Sequence, residues 1–437
     1  MNTQRLVLFP IVHHLDSSTH IFEPIRPAGI HASAHFTDYP RNVPRLNARS
    51  GSQSSLREAN SARVLDAIRK YGRITQVELS AATGLAPATI SNIIKQLSAQ
   101  GNVELTSTIR SGRRAQLVSL TQSSTLTAGI SIGRRALDIY ISDESRTGEF
   151  TKVLPLPVDH KADTTLDRAT LLVLDLLEQA GQSLDDLAGI GVALPAPINP
   201  KTGTLTRRGI MRGWEDINIA EVFQRRLGRD TIVMNDANAA VAAENRFGSL
   251  RGFSSCAYIR ASYQTGAGIL VGGKVYSGAT GIAGEIGHVI VDPHGPICTC
   301  GARGCLNTVV GADYLVDLLR LSRGPMTLRD LLSNANEGDP GCQQVLSDAG
   351  SAIGRVIADL VTVFDLEAVA VGGELMNAGD TFLSPIQNAL FERPYLRAEG
   401  ITVYPSKLGA DAEAIGAMIL AQDAFVPSYS THRQEDQ

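Results

Sequence analysis

Three of the five cysteines in this chain fall within eight positions, Cys298-Thr-Cys300-Gly-Ala-Arg-Gly-Cys305, and the stretch Gly281-Ile-Ala-Gly-Glu285-Ile-Gly-His288 ends ten residues before the first of them. No other feature constrains the fold so tightly. One imidazole and three thiolates form the closed tetrahedral ligand set of a structural zinc, so the backbone from His288 to Cys305 must double back on itself. Gly301 and Gly304 permit the turns this requires. Cys-x-Cys is tighter than the usual Cys-x-x-Cys, so the alternative is three buried or reactive thiols without metal. His294 is a rival fourth ligand. Five cysteines in 437 residues do not make a disulfide scaffold. Cys256 and Cys342, alone in strand and helix patterns, read as core.

A chain this long exceeds one ordinary core, so two or three folding units are expected. No apolar run approaches the length of a membrane span, and stretches such as Leu171 to Leu177 are broken by charge. The opening 22 residues lack a basic region followed by a small-residue cleavage site, so no signal peptide is expected and the location is cytoplasmic. Charge is unevenly spread. Residues 61–120 carry eight Lys or Arg against three acids, leaving −9 for the rest of a chain whose net charge is −4. A basic module on an acidic body suggests a polyanion partner for that module alone.

Residues 1–50 scatter His, Pro and Ser without a period and read as a disordered arm. Their five histidines have no regular spacing and no cysteine neighbours, so no metal site is assigned to them. From Ser61 the pattern turns helical, with Val64, Leu65, Ile68 and Tyr71 at spacings of three and four and Gly72 as the stop. A second helix, Gln76 to Ala82, follows Thr75 as N-cap, and Pro87 opens a third, with Ile90, Ile93, Ile94 and Leu97 as its apolar face. Two short strands, Val103 to Ile109 and Ala115 to Leu120, flank Ser111-Gly112-Arg113-Arg114. Three helices and a basic-tipped hairpin spell a winged helix-turn-helix over residues 51–122. In that motif the third helix would enter a major groove, so Ala86, Ala88, Thr89, Ser91, Asn92 and Lys95, with Thr75, are candidates to contact double-stranded DNA. Arg110, Arg113 and Arg114 of the wing would reach phosphates or the minor groove. The alternative is a protein-docking module whose basic residues are only a solvated face.

Beyond Leu126 strand-like runs alternate with helices, and the pattern recurs after Arg251. That is α/β patterning in two lobes, over residues 123–424, with a short tail at 425–437.

Taken together these residues resemble the ROK family of repressors and sugar kinases. The likeness runs from about Gly51 to Gln422 and is most specific at GIAGEIGH and CTCGARGC. Further matches are Leu194-Pro-Ala-Pro-Ile198, Asn235-Asp-Ala-Asn238, Thr265-Gly-Ala-Gly268 and Val371-Gly372-Gly373. The resemblance implies a two-lobed, actin-like ATPase (sugar-kinase-like) α/β domain preceded by a winged helix-turn-helix. It implies sugar binding by Asn235, Asp236, Glu285 and His288, with Asp236 at the position of the kinase base and His288 also a zinc ligand. Asn307 stands where a second sugar-binding Glu is usual and is expected to bind the sugar by hydrogen bonding without the charge, and Ala196 replaces a Gly in the Pro-Ala-Pro-Ile turn. The kinase-type Asp-x-Gly-Gly-Thr-Lys element, whose Asp organises magnesium, reads Ser131-Ile-Gly133-Arg134-Arg135-Ala136 here. Its long arginines would fill nucleotide space, although Gly266 and Gly268 of the second phosphate loop are retained. The expectation is a homodimeric or homotetrameric, sugar-responsive repressor without kinase activity. The alternatives are a sugar kinase with an attached DNA-binding domain, or a regulator that answers to a protein partner.

Overall fold

The computed structural model describes residues 53–110, 113–121, 125–143, 149–398 and 400–426. The expected arm, 1–50, lies outside them, as do Ser111, Gly112 and residues 427–437 of the expected tail.

Helix α1 (Gln53–Tyr71) begins well before Ser61. Its first turns are polar, with Leu56 exposed, so apolar periodicity gives no sign of them. Gly72, at φ +66°, stops the helix. Strand β1 (Ile74–Thr75) leads into α2 (Gln76–Thr83), and Thr75 and Glu78 form a reciprocal capping box at their junction. After the left-handed Gly84, Pro87 opens α3 (Pro87–Ala99), which buries Ile90, Ile93, Ile94 and Leu97 as one stripe. Strands β2 (Val103–Arg110) and β3 (Arg113–Leu120) form the wing. The pairing of β1 with β3, Ile74 opposite Val118, completes a three-stranded sheet. A two-residue strand is too short to announce itself by alternation.

The remainder is built twice on one plan. Strands β4 (Leu126–Ile132), β5 (Ala136–Ser142) and β6 (Glu149–Pro155) form an antiparallel meander, followed by α4 (Ala162–Gln179), β7 (Leu187–Leu194), α5 (Ile219–Leu227) and β8 (Thr231–Asn235). The sheet order is β6-β5-β4-β7-β8, with β4, β7 and β8 parallel. After α6 (Asp236–Phe247) the second sheet starts with β9 (Cys256–Arg260), β10 (Gly266–Val271) and β11 (Lys274–Val275). Helices α7 (Asn307–Val310), α8 (Ala312–Arg323), α9 (Leu328–Asn336) and α10 (Pro340–Phe364) intervene. Then come β12 (Ala368–Gly372), α11 (Asp380–Phe391), β13 (Thr402–Pro405) and α12 (Ala412–Phe425). The order β11-β10-β9-β12-β13 repeats the first sheet strand for strand, with the same parallel and antiparallel pairings.

Helices α6 and α12 pair where the lobes meet. Helix α12 lies against the first sheet so closely that a Cβ on Gly129 or Gly191 would stand 1.9 Å from the carbonyl oxygens of Ala414 and Ala417. Helix α6 lies on the second sheet in the same way, with Gly268 facing the Ala237 carbonyl. Small residues at these crossings let strand and helix approach backbone to backbone, which brings the N-termini of both helices to the junction between lobes. Among the described residues no helix is long and apolar enough to cross a membrane.

Candidate functional site

Strand β8 runs directly into α6, so its last residue, Asn235, becomes the helix N-cap. Asn235 Oδ1 accepts the Asn238 N–H at 3.1 Å and Nδ2 donates to the Ala196 carbonyl at 3.2 Å. Its amide is therefore engaged in tying α6 to the Pro-Ala-Pro-Ile turn, a positioning task that the sequence pattern does not separate from ligand contact. That turn also meets the second lobe: a Cβ on Gly281 would strike the Ile198 carbonyl, and Thr206 Oγ1 donates to Thr280 O at 2.7 Å. Three motifs far apart in sequence thus converge at one junction.

Asp236, the first residue of α6, is almost wholly buried. One carboxylate oxygen accepts the Ala237 N–H at 2.7 Å and the other lies 3.3 Å from Arg260 Nε. Burial pushes this carboxyl up to about 7; Arg260 opposes that rise, while Glu413 and Glu285 add to it. Glu285 is itself pushed up to about 7 by burial. Asn307, at the start of α7, accepts the Thr265 N–H at 2.8 Å and backs Gly287, whose Cβ position would lie 2.3 Å from the Asn307 amide nitrogen. It supports the loop that carries Glu285 and His288.

Sequence patterning missed a chain of polar groups at this junction. Arg260, at the end of β9, donates to Glu413 of α12 at 2.5 Å, and Glu413 accepts from the Ser131 hydroxyl at 2.9 Å. An isolated Arg in a strand and a Glu in the first turn of a helix carry no motif; only the fold brings them together. Nearby Asp138 of β5 is pushed up to about 7 by burial and then by Glu413, Asp411 and Glu374. The substituted arginines lie against Tyr263 of the opposite lobe, Arg135 at 4.6 Å and Arg134 at 6.0 Å from the ring centroid. Retention of Gly268 has a packing cause, the close approach of Ala237, and is no sign of phosphate binding by itself.

His288, Cys298, Cys300 and Cys305 place their ligand atoms within 4.8 Å of one another, so the group can hold a metal ion. His288 Nδ1 lies 3.6 Å from Cys298 Sγ, and Cys300 and Cys305 are 3.6 Å apart at sulfur. Short bridges, Ile290 with Cys305 and Ile297 with Arg303, fold the segment back, and Gly301 and Gly304 turn it at φ +91° and +68°. Burial pushes the His288 imidazole below its usual range. Cys305 is pushed up to about 12 by burial and by its thiol neighbours. His294 is exposed and outside the group. Cys256 and Cys342 are fully buried core residues.

On α3 the side opposite the apolar stripe presents Ala86, Ala88, Asn92 and Lys95 to solvent, with Thr89 and Ser91 partly exposed beside them. Thr75 does not belong to this face. It is buried, and its hydroxyl bonds Glu78 at 2.9 Å in the α2 cap, which removes it from the set of candidate DNA contacts. Arg110 and Arg113 face each other at the wing end of β2 and β3, and Arg114 pairs with Ile109. The side chains of these three arginines lie outside what is described. The helical module meets the lobes where α1 lies near α6, and Arg251 adds a contact there: its guanidinium donates to the Tyr71 carbonyl and lies 5.4 Å from the Tyr71 ring centroid.

Doubled sheets of this topology, with paired helices at their junction, define the two-lobed, actin-like class to which sugar kinases belong. The ROK family profile matches residues 127–424, and a MarR family profile matches 58–114. The chain belongs to the ROK family. It is 28% identical over 399 residues to the DNA-binding transcriptional dual regulator NagC of Escherichia coli K12, covering 88% of this chain and 97% of that one. It is 24% identical over 377 residues to the xylose repressor of Bacillus subtilis 168, covering 86% and 97%. Among solved structures, a ROK family transcriptional regulator homologous to the E. coli MLC protein superposes with a TM-score of 0.65 at 23% identity, over 85% of this chain and 97% of that one. A ROK family glucokinase from Streptomyces griseus, in complex with glucose and AMPPNP, gives 0.59 at 26% identity over 68% and 99%.

Proposed function

We propose that this chain is a sugar-responsive transcriptional repressor that acts in the cytoplasm. A sugar or sugar derivative bound at the lobe junction controls its affinity for a double-stranded DNA operator. The observation that carries the reading is the joining, in one chain, of an α3 whose solvent side is small and hydrogen-bonding to a ROK domain that keeps Asp236 and Glu285 but has Ser131 at the metal-organising position. Thr89, Ser91 and Asn92 are of the types that bond base edges or phosphates; Lys95, Arg110, Arg113 and Arg114 suit phosphates. Asp236, Glu285 and His288 are the sugar contacts, and Asn235 and Asn307 hold them in place. Two half-sites are needed for useful specificity, so the working form is a homodimer or homotetramer.

Zinc suits the His288, Cys298, Cys300 and Cys305 group. Zn–S bonds near 2.3 Å and Zn–N bonds near 2.0 Å give tetrahedral edges of roughly 3.5–3.8 Å, and the two separations of 3.6 Å match them. With all four positions taken by protein the ion would be structural, fixing the loop on which Glu285 and His288 stand. Coordination through Nδ1 leaves the imidazole proton on Nε2, where it can donate to a sugar hydroxyl.

Selection of bound DNA from a random pool, with and without a mixture of sugars, tests the reading. An inverted repeat whose recovery changes with sugar is expected; failure of folded, zinc-loaded protein to enrich any sequence would overturn it. Retention of Asp236 at the base position favours a second reading, an ATP-dependent sugar kinase with an attached DNA-binding domain. ADP release with hexoses or N-acetylhexosamines would establish that reading. Ser131 and the arginines against Tyr263 argue against it.

A further inference from the structure

Four side chains from four elements form one line across the lobe junction: Ser131 of β4, Glu413 of α12, Arg260 of β9 and Asp236 of α6. Arg260 is the cation in this line, and its side chain is only 14% exposed. A buried guanidinium needs a fixed, charged carboxylate partner, because an unpaired buried charge is strongly unfavourable. Arg260 approaches Glu413 more closely, at 2.5 Å, than Asp236, at 3.3 Å, so Glu413 braces the guanidinium and Asp236 keeps acceptor capacity to spare. Ser131 matters to this geometry. An Asp there would set a second carboxylate against Glu413, whereas the Ser hydroxyl donates to it.

We propose that Arg260, braced by Glu413, is the positioning residue of the sugar site: it holds the Asp236 carboxylate in place, ready to accept a ligand hydroxyl. This rests on the reading of Asp236 as a sugar contact. The charged and titratable groups around Asp236 are Arg260 and Tyr258 of β9, Glu413 of α12 and Glu285 of the 281–288 loop. Around Arg260 and Glu413 stand Glu374, Asp411 and Asp138. Among these Arg260 favours the ionised form of Asp236 and Glu413 opposes it. Loss of the two partners must therefore move the Asp236 titration in opposite directions, which a merely structural role would not produce.

The test is carboxyl ¹³C NMR of the zinc-loaded full chain carrying labelled aspartate, with Asp236→Asn identifying the resonance. Arg260→Met should raise the Asp236 midpoint by about one to three pH units, Glu413→Gln should lower it, and Arg260→Lys should lie nearer the native value. Folding of each variant is checked by circular dichroism and metal content, and Glu413→Gln alone decides the sign if Arg260→Met does not fold. Calorimetry with hexoses and N-acetylhexosamines should show affinity tracking the same midpoint, with Arg260→Met weakened about fivefold or more at pH 7 and recovering at higher pH. Midpoints that stay put or move together overturn the proposal, whatever the sugars do. Opposite midpoint shifts without sugar heat from the native chain would instead overturn the sugar reading.

Discussion

Thr75 illustrates how one residue can satisfy a motif and still do something else. Its place before the second helix fits a phosphate contact, but its hydroxyl bonds Glu78 and its backbone pairs with Leu117. Thr75→Ala should therefore cost about 1 kcal/mol of stability in the winged-helix module, read by thermal unfolding. Affinity for DNA should be unchanged; a loss of affinity that is uniform across DNA sequences would mean that Thr75 does meet a phosphate. Asp138 gives a pH prediction. Its folded-state pKa, about 7, lies above the usual 3.8, so the folded protein holds that proton more tightly than the unfolded chain does. Stability from this group is full below about pH 4 and is lost as pH rises through 7. Asp138→Asn should flatten the fall in urea midpoint between pH 5 and 8, and an unchanged slope would exclude Asp138 as its source. Cys305 responds to metal instead. Zinc must displace the proton of a thiol pushed up to about 12, so binding should release protons and weaken on acidification. Cys305→Ser, or a chelator, should remove one zinc per chain by elemental analysis and lower the melting temperature.

At the scale of elements, legibility followed the period of the pattern. Helix α3 was readable because Ile90, Ile93, Ile94 and Leu97 repeat at helical spacing behind a proline, and all four are buried. The buried runs of β4 and β7 were readable as strands. Strand β1 was not, because it is defined by its partner β3 and not by its own two residues. The first turns of α1 are polar in sequence and carry no apolar period to betray them. The site divided likewise: contiguous motifs marked Asp236, Glu285 and the cysteines, while Arg260 and Glu413, 153 residues apart, meet only once both lobes are built. The paired helices depend on similar long-range fits. Gly268→Ala would put a Cβ 1.9 Å from the Ala237 carbonyl, a backbone atom that cannot swing away, so β10 or α6 must shift. A loss of about 1–3 kcal/mol is expected, with weakened sugar binding because Asp236 is the neighbour of Ala237. Unfolding and calorimetry on the same variant would check both, and native sugar affinity would show that the α6 N-terminus tolerates the shift.

Over the whole molecule, α6 links the two ends of the proposed function. Asp236 stands at its start, and just past its end the segment to Arg251 reaches α1 through Tyr71, about 18 Å away along a helix of 12 residues. Glu244, fully buried in α6, fixes that far end by accepting from Ser249 N at 2.7 Å, Ser406 Oγ at 2.6 Å and Leu408 N at 2.9 Å. A displacement of α6 on sugar binding would therefore be carried to the Arg251–Tyr71 contact without being absorbed in a slack turn. Coupling between two sites is reciprocal: if sugar weakens DNA binding by some factor, DNA weakens sugar binding by the same factor. Arg251→Ala removes the contact and touches neither ligand. It should leave sugar affinity of the DNA-free protein, and operator affinity of the sugar-free protein, within a few-fold of native. The coupling, typically about 1–3 kcal/mol in such systems, should shrink by the same factor in both directions. Four titrations close the cycle, sugar with and without operator and operator with and without sugar. A variant that keeps native coupling would exclude the Arg251–Tyr71 contact as the route, because coupling is the ratio of one affinity with and without the other ligand and is not altered by a change in either intrinsic affinity alone.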